Sequence, residues 1–520
     1  MSLKSDIFGM LDDSEKLCSG CGDADELRTA IAEMRRRLCR PLRVAVVGIM
    51  KAGKSTFLNA LMGADVVFTG NVETTYTVCW FRYGKQASLT VCFRDGSELN
   101  TAFEDLERWS VRGYEKENPR INDVKYLVIY YPAEVLKTLE FIDTPGLNSM
   151  YGTDAQNTLD FLSIKGSEDT LAEAGMADAV IYAFSRSASG FDQKILEAFH
   201  SGGSSGSSPI NSIGILTKVD ATGIWQIDSS DTPVEIARTV SSKVMENTGM
   251  RRLMFTVMPV CARTCEGYAQ LGERDWKALK SLARADLAEL QDLLLDAGDF
   301  KNSGEEDFSQ YCGQPDRARL MDCLGQYGIL ETVRQLKEGL TPEEIGPRLQ
   351  ELCGIRDVRQ LLSQHFGNRT FLIKSQYIFN YLNRLLHSLS HRKQCSDTLK
   401  NICAQMTDKI AAICNSVQTI HELKALQMYY NGELDYLQPE EQQDLLHVTG
   451  EYGREPETRL NVPSAMTVSE LAGIARQKAL DWQSKQVFTL FNPSSYSEVC
   501  AILVRSYEHM YYHLNALIEE

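Results

Sequence analysis

Along residues 24–39, Leu27, Ile31, Met34 and Leu38 are spaced by four, three and four, which predicts an amphipathic helix that Pro41 ends. The period then changes. LRVAVV (42–47) is a short, Val-rich run that stops at Gly48, the pattern of a buried strand. Similar runs follow at TVCWF (77–81), SLTVCF (88–93), YLVIYY (126–131), TLEFID (138–143), AVIYAF (179–184), IGILTK (213–218) and FTVMPV (255–260). Helix-like stretches at 54–63, 102–117 and 190–200 separate several of them. Such alternation predicts an α/β domain with a mostly parallel sheet. GGSSGSSP (202–209) reads as a surface connection.

After about residue 270 the strand signal stops. Val358, Leu362 and Phe366 form one stripe, continued by Ile378, Leu382, Leu385 and Leu389. Leu399, Ile402, Met406, Ile410, Ile413, Val417 and Ile420 step by three and four, as in packed long helices. A helix over 355–391, a break near 390–397 and a last helix over 496–518 are expected, the last with Val499, Leu503, Met510, Leu514 and Leu517 inward. The reading is an N-terminal helical segment (1–40), an α/β domain (41–270), connecting helices (271–345) and an all-α bundle (346–520).

Length and charge narrow the classes. A chain of 520 residues implies two or three domains. Lys and Arg number 54 against 70 Asp and Glu, a net charge of −16, and no RNA-binding module is recognisable, so nucleic acid is disfavoured as a partner. The 14 cysteines read as reduced thiols of a cytoplasmic protein. Acidic residues break up the N-terminus, and no run reaches the ~18 apolar residues a membrane span needs. Membrane contact would therefore be peripheral, at the inner face.

The strongest chemical signal is Gly48-Ile-Met-Lys-Ala-Gly53-Lys54-Ser55, which fits G-x-x-x-x-G-K-[ST] between a predicted strand and a predicted helix. Such a loop curls backbone N–H groups around phosphates, here at Gly48, Met50, Lys51, Ala52, Gly53, Lys54, Ser55 and Thr56, with the helix dipole adding to the field. Lys54 reaches the β- and γ-phosphates, and the Ser55 hydroxyl binds Mg²⁺. Asp143-Thr-Pro-Gly146 ends a strand; its carboxylate can hold Mg²⁺ and the Gly146 N–H can sense the γ-phosphate. Thr217-Lys218-Val219-Asp220 ends another. Asp220 can accept two hydrogen bonds from guanine N1–H and its exocyclic amine, a donor pair adenine lacks, and the Lys218 stem can cover the base. Backbone groups of Val260-Cys261-Ala262-Arg263 could touch guanine O6. Together these imply GTP as substrate, GDP as product and Mg²⁺ as cofactor.

PLRVAVVGIMKAGKSTFLNAL, FTGNVETTYTVCWFRYG, FIDTPGLNS, DAVIYAFS and GILTKVD resemble a bacterial dynamin-like GTPase. The likeness is strong over about 41–265 and weaker over 345–390. It implies a switch threonine at Thr75, with Thr74 the alternative, whose hydroxyl completes the Mg²⁺ shell. It implies a helical trunk folded against the N-terminal helix, with helices 24–39 and 496–518 forming a neck. It also implies GTPase domains that pair face to face, and mechanical work on a membrane. Eukaryotic dynamins carry glutamine and serine where Met50 and Lys51 stand. Lys51 would then replace the monovalent cation that the serine helps to hold, or point to solvent.

The remaining signals are weaker. Cys18-Ser-Gly-Cys21 lacks a second pair for zinc and reads as two thiols in a mobile N-terminus. His509 and His513 lack the HExxH pattern and read as helix-surface or packing residues. Arg35-Arg36-Arg37 reads as a solvated basic turn. VFTLFN (487–492) reads as core. The segment 430–460 holds eight acidic and two basic residues, a composition that anionic headgroups repel. A second dynamin-like chain carrying the lipid-binding element would reconcile that with membrane work. The competing reading is a GTP-switched scaffold that binds protein partners without remodelling membrane.

Overall fold

The computed structural model describes residues 3–49, 51–64, 66–67, 78–110, 118–143, 177–185, 190, 192–194, 196–197, 209–221, 225–227, 229–302, 306–392, 395–430, 432–487 and 494–519. They form two compact units. One comprises 41–207 and 211–367; the other comprises 1–40, 208–210 and 368–520. Helices α1 (Leu3–Cys18) and α2 (Asp25–Cys39) open the chain and belong to the second.

The first unit is built on one nine-stranded sheet. Its strands are β1 (Leu42–Val47), β2 (Val78–Tyr83), β3 (Ser88–Phe93), β4 (Glu98–Thr101), β5 (Val124–Tyr131), β6 (Leu139–Asp143), β7 (Ala179–Ser185), β8 (Ser212–Thr217) and β9 (Val257–Pro259). Their order is β4-β3-β5-β2-β6-β1-β7-β8-β9. β1 lies parallel between β6 and β7, and the parallel run continues through β8 to β9. β2 is parallel to β5 and antiparallel to β6. The sheet is therefore mostly parallel, as the alternation predicts, with its antiparallel pairs on the β2–β4 side.

β4 escapes sequence reading because ELNT has no apolar alternation and three of its residues are exposed. The turn makes it: Asp95 Oδ1 accepts the Ser97 N–H at 2.8 Å, and the Phe93 N–H reaches Ser97 O at 2.9 Å.

Four helices of this unit matter below: α3 (Lys54–Met62), α4 (Ala262–Ala269), α5 (Gln314–Lys337) and α6 (Ile355–Leu361). The sheet unit runs through the connecting helices of 271–345 and on to Gly367, where a π-helical turn (Leu362–Gly367) interrupts the helix expected over 355–391.

The second unit continues with α7 (Asn368–Ser390), α8 (Asp397–Ser416), α9 (Gln418–Tyr430), α10 (Pro439–Val448), α11 (Pro456–Leu460), α12 (Val468–Val487) and α13 (Ser494–Glu519). The predicted break between 390 and 397 is present. The stripe from Leu399 to Ile420 is split, because Val417 is extended (φ −99°, ψ 108°) between α8 and α9. Three-and-four spacing survives one extended residue, so periodicity alone merges the two helices.

The N-terminus needs correcting. Ile7, Met10, Leu11 and Cys18 form the buried stripe of α1, and Cys18 and Cys21 sit in a core shared with α2, α7 and α8. They are packing residues rather than thiols of a mobile segment. α13 packs on α12 and α9, and none of its described residues belongs to that core. Val499, Leu503, Met510 and Leu514 are buried as expected; Leu517 is 51% exposed.

Arg37 is buried with its guanidinium 3.5 Å from the Tyr377 ring centroid, whereas Arg35 pairs with Asp12 and Glu15 on the surface. Lys374 is fully buried and donates to the Arg40 carbonyl just past the end of α2. A cation at that position also meets the negative end of the helix dipole. His509 and His513 are exposed. Residues 488–492 of VFTLFN lie outside the described set.

The acidic segment 430–460 is ordered into α10 and α11, with Leu445, Leu446, Val448 and Leu460 buried. Glu441 is ion-paired with Lys485, Asp444 with Lys478, and Glu451 with Arg369. The last pair is nearly closed to solvent, with side chains 8% and 4% exposed. Breaking a buried pair strands a charge. Arg369→Met is therefore expected to destabilise the helical unit by about 3–5 kcal/mol. The double change R369M/E451L should recover most of that loss in thermal or urea unfolding.

Candidate functional site

Two glycines give the loop after β1 its shape. Gly48 runs so close to β7 that a Cβ there would lie 2.6 Å from the Ala183 carbonyl oxygen. Gly53 takes φ +87° at the head of α3, a left-handed turn that an L side chain strains. Lys54 and Ser55 then fall in the first turn of α3, where free backbone N–H groups point outward.

Lys54 is buried, and its ammonium donates to the Gly48 and Ile49 carbonyls at 3.1 and 3.2 Å. Burial lowers its pKa; the nearby Asp143 carboxylate opposes that. β1–β6 pairing sets Val46 against Asp143, which brings the end of β6 beside the loop. The Ser55 hydroxyl donates to Asp143 Oδ2 at 3.3 Å, while Asp143 Oδ1 is buried without a hydrogen-bond partner. Burial pushes the Asp143 carboxyl up to about 6, with Lys54 and Ser55 pulling it down. A hydroxyl and a carboxylate with a spare buried oxygen are hard oxygen donors, the set Mg²⁺ takes. The residues fit that ion.

The residues expected to face a base lie at the ends of β8 and β9. The Thr217 hydroxyl is within hydrogen-bonding distance of the Ala52 and Phe184 carbonyl oxygens, at 2.5 and 2.9 Å. It is spent on holding the loop against β7, a supporting use rather than a contact with the base. Lys218 reaches back to the Lys51 carbonyl at 2.5 Å. Both lysines have left-handed backbones, φ 60° at Lys51 and φ 56° at Lys218, and each such residue costs about 1 kcal/mol or more unless its surroundings enforce it. Their mutual hydrogen bond is part of that enforcement. The Lys51 residue is exposed.

Asp220 is half-buried, and burial raises its pKa against the pull of Arg263 and Lys218. Ala262 and Arg263 begin α4. The Arg263 guanidinium donates to the Met321 and Asp322 carbonyls at 3.1 and 2.7 Å, just before the kink at Gly325 in α5, so its side chain is committed there. Cys261 and Cys265 are buried with their thiols against Cys353.

The fold thus gathers Gly48, Lys51, Ala52, Gly53, Lys54, Ser55, Asp143, Thr217, Lys218 and Asp220 around the ends of β1, β6 and β8. Thr56 follows Ser55 in the first turn of α3. Met50, Thr74, Thr75 and Gly146 lie outside the described residues.

Residues 44–219 match the Dynamin family. Residues 44–219 are thus a dynamin-family domain. The isoniazid-induced protein IniC of Mycobacterium tuberculosis is 26% identical over 479 residues, spanning 91% of the dynamin-like chain and 90% of IniC. Dynamin-like protein 2 of Campylobacter jejuni is 33% identical over 136 residues, 26% of this chain and 21% of that protein. A bacterial dynamin-like protein of Nostoc punctiforme is 36% identical over 126 residues, 22% of this chain and 18% of that one.

Sequence reading misses the supports of the dynamin-like site. Arg359 of α6 donates to the Leu61 carbonyl at 3.1 and 2.8 Å and to the Ala60 carbonyl at 3.0 Å, capping the far end of α3. Nothing local marks it, since its partners lie about 300 residues earlier. Asn59 is polar within the otherwise apolar FLNALM run, a signal that was available.

Asp220→Asn would replace a two-acceptor edge by one acceptor and one donor. Guanine affinity is expected to fall about 100-fold, the scale of losing a matched polar pair. Xanthine, which presents a carbonyl where guanine has its amine, should bind comparatively better. Fluorescent-nucleotide titration with GDP and XDP checks both.

Proposed function

We propose that the chain is a Mg²⁺-dependent GTP hydrolase of the dynamin type that works as a dimer of GTPase domains at a membrane surface. The observation that carries the hydrolase reading is the meeting of Ser55 and Asp143 at 3.3 Å beside the buried Lys54, with one Asp143 oxygen left without a partner. Phosphates seated on the loop would draw Lys54 from the Gly48 and Ile49 carbonyls and restore its compensation. Ser55 and Asp143 would hold the ion, which supplies charge neutralisation at the phosphates. Lys218 would flank the base and Asp220 would read its donor edge. Thr75 would cover the γ-phosphate with Gly146 opposite, and their ordering would be what differs between GTP and GDP.

No helix among the described residues is long and apolar enough to cross a membrane, which fits peripheral contact. The similarity to bacterial dynamin-like proteins supports membrane work. One observation favours the scaffold alternative: Glu440 on α10 and Glu455 just before α11 are exposed acids, which suit a protein partner better than anionic headgroups. A second dynamin-like chain is the partner most consistent with both.

Phosphate release at rising protein concentration, with Lys54→Ala as the blank, separates the assemblies. Specific activity is expected to climb with concentration; a flat rate would overturn catalysis across a dimer. Lys51 is exposed beside the phosphate loop and is proposed to supply the charge of a monovalent cation. Lys51→Ala should lower turnover and make it potassium-dependent. Unchanged turnover and salt response would remove Lys51 from the mechanism.

A further inference from the structure

Helix α5 is broken where it runs beside α4. Gly325 takes φ 68° and ψ 178°, a backbone region that essentially only glycine occupies, so the turn before it ends as a helix terminus in mid-element. The last carbonyls ahead of the break meet the first turn of α4. Arg263 donates through Nε to the Asp322 carbonyl at 3.2 Å, and through Nη2 to the Met321 and Asp322 carbonyls at 3.1 and 2.7 Å. The Thr264 hydroxyl donates to the Leu324 carbonyl at 3.2 Å. The two backbones touch on the same stretch, since a Cβ on Gly267 would lie 2.1 Å from the Cys323 carbonyl oxygen.

A straight helix would spend those carbonyls on its own N–H groups. The break instead offers them as acceptors at the place where α4 begins. Ala262 opens α4 just past the end of β9, and the first N–H groups of a helix have no intrahelical partner. A later turn of α4 is held from another side: Glu266 accepts the side-chain amide of Asn59, in the middle of α3, at 2.7 Å. The grip on α5 therefore bears on the opening turn of α4. Burial raises the Asp220 pKa and the Arg263 charge opposes it, so the same side chain favours an ionised acceptor edge at Asp220. We propose that Arg263 and Thr264 are positioning residues for base selection: by gripping the broken turn of α5 they fix the opening turn of α4 where its backbone reads guanine O6. The proposal rests on the reading of this site as a GTP site.

The consequence is selective. 6-Thio-GDP carries a sulfur, a weak acceptor, where GDP carries O6, and is otherwise the same ligand. The ratio of GDP to 6-thio-GDP affinity therefore reads the contact at O6. A domain that is merely loosened loses both nucleotides together and keeps the ratio. Arg263→Met keeps an apolar stem and removes the donors. Thr264→Val keeps the shape and removes the hydroxyl, whereas Thr264→Ser keeps the hydroxyl. Gly325→Ala adds a Cβ that meets nothing within 4 Å but disfavours the broken backbone, and so releases the grip from the α5 side.

The test is competition of GDP and 6-thio-GDP against a fluorescent nucleotide on the full chain with Mg²⁺. The wild-type chain is expected to prefer GDP about tenfold, the scale of one good hydrogen bond. R263M, T264V and G325A should each cut that preference to about threefold or less, and T264S should keep it. A folded R263M with the wild-type preference, or with both affinities lost in parallel, would overturn the proposal and leave the pair as packing groups. Arg263 is exposed, so R263M carries the test even where T264V or G325A fails to fold. A wild-type chain that binds both nucleotides equally would overturn the proposal and leave the GTP reading standing. A wild-type chain that binds neither would instead sink the GTP reading itself, and this inference with it.

Discussion

Two buried groups of opposite charge, Lys54 and Asp143, set the terms for the sheet unit. Each lies where water does not compensate it, and no direct ion pair joins them. Lys54 is held by the Gly48 and Ile49 carbonyls, and Asp143 by one long hydrogen bond from Ser55. Burial shifts both toward their neutral forms, Lys54 downward and Asp143 upward. Such an arrangement is costly by itself and becomes favourable when phosphate oxygens and a cation enter between the charges. Ligand binding and the integrity of the fold are then linked, because whatever relieves these two groups also stabilises the state that contains them.

Holding that arrangement requires the P-loop helix to be pinned from several sides. β6 and β7 flank β1 in parallel and fix where its loop emerges. Thr217 bridges the Ala52 and Phe184 carbonyls, and Arg359 takes the last carbonyls of the helix. Asn59 holds the middle. Arg263 and Thr264 do similar work at α4, where the kink at Gly325 leaves α5 carbonyls open to side-chain donors. The loop's own glycines set its turns, and hydrogen bonds from residues distant in sequence hold them in place.

That division explains what could be read from the chain. Period-two and apolar runs marked eight of the nine strands, because those strands are buried and Val- and Ile-rich. β4 was invisible because a turn, not burial, makes it. The loop lysine, serine and Asp143 were legible because phosphate chemistry constrains residue type and spacing together. Arg359, Glu266 and Lys374 were not, since a capping cation or acceptor carries no local pattern. Helix periodicity located α7, α8 and α13 but could not see the extended Val417 or assign partners, so α1 and its contribution to the α2–α7–α8 core went unread.

The cysteines carry a practical consequence. All 14 are free, and burial pushes Cys261, Cys312, Cys403 and Cys500 up to about 11. Thiol reagents act on thiolates, so these are slow to react at neutral pH. Cys39 is the exposed one, with Cys323, Cys395 and Cys414 half-buried, and it sits at the end of α2 next to the Arg40 carbonyl that Lys374 grips. The native chain therefore offers a preferred attachment point for one dye or spin label, three residues ahead of β1, without any engineered cysteine.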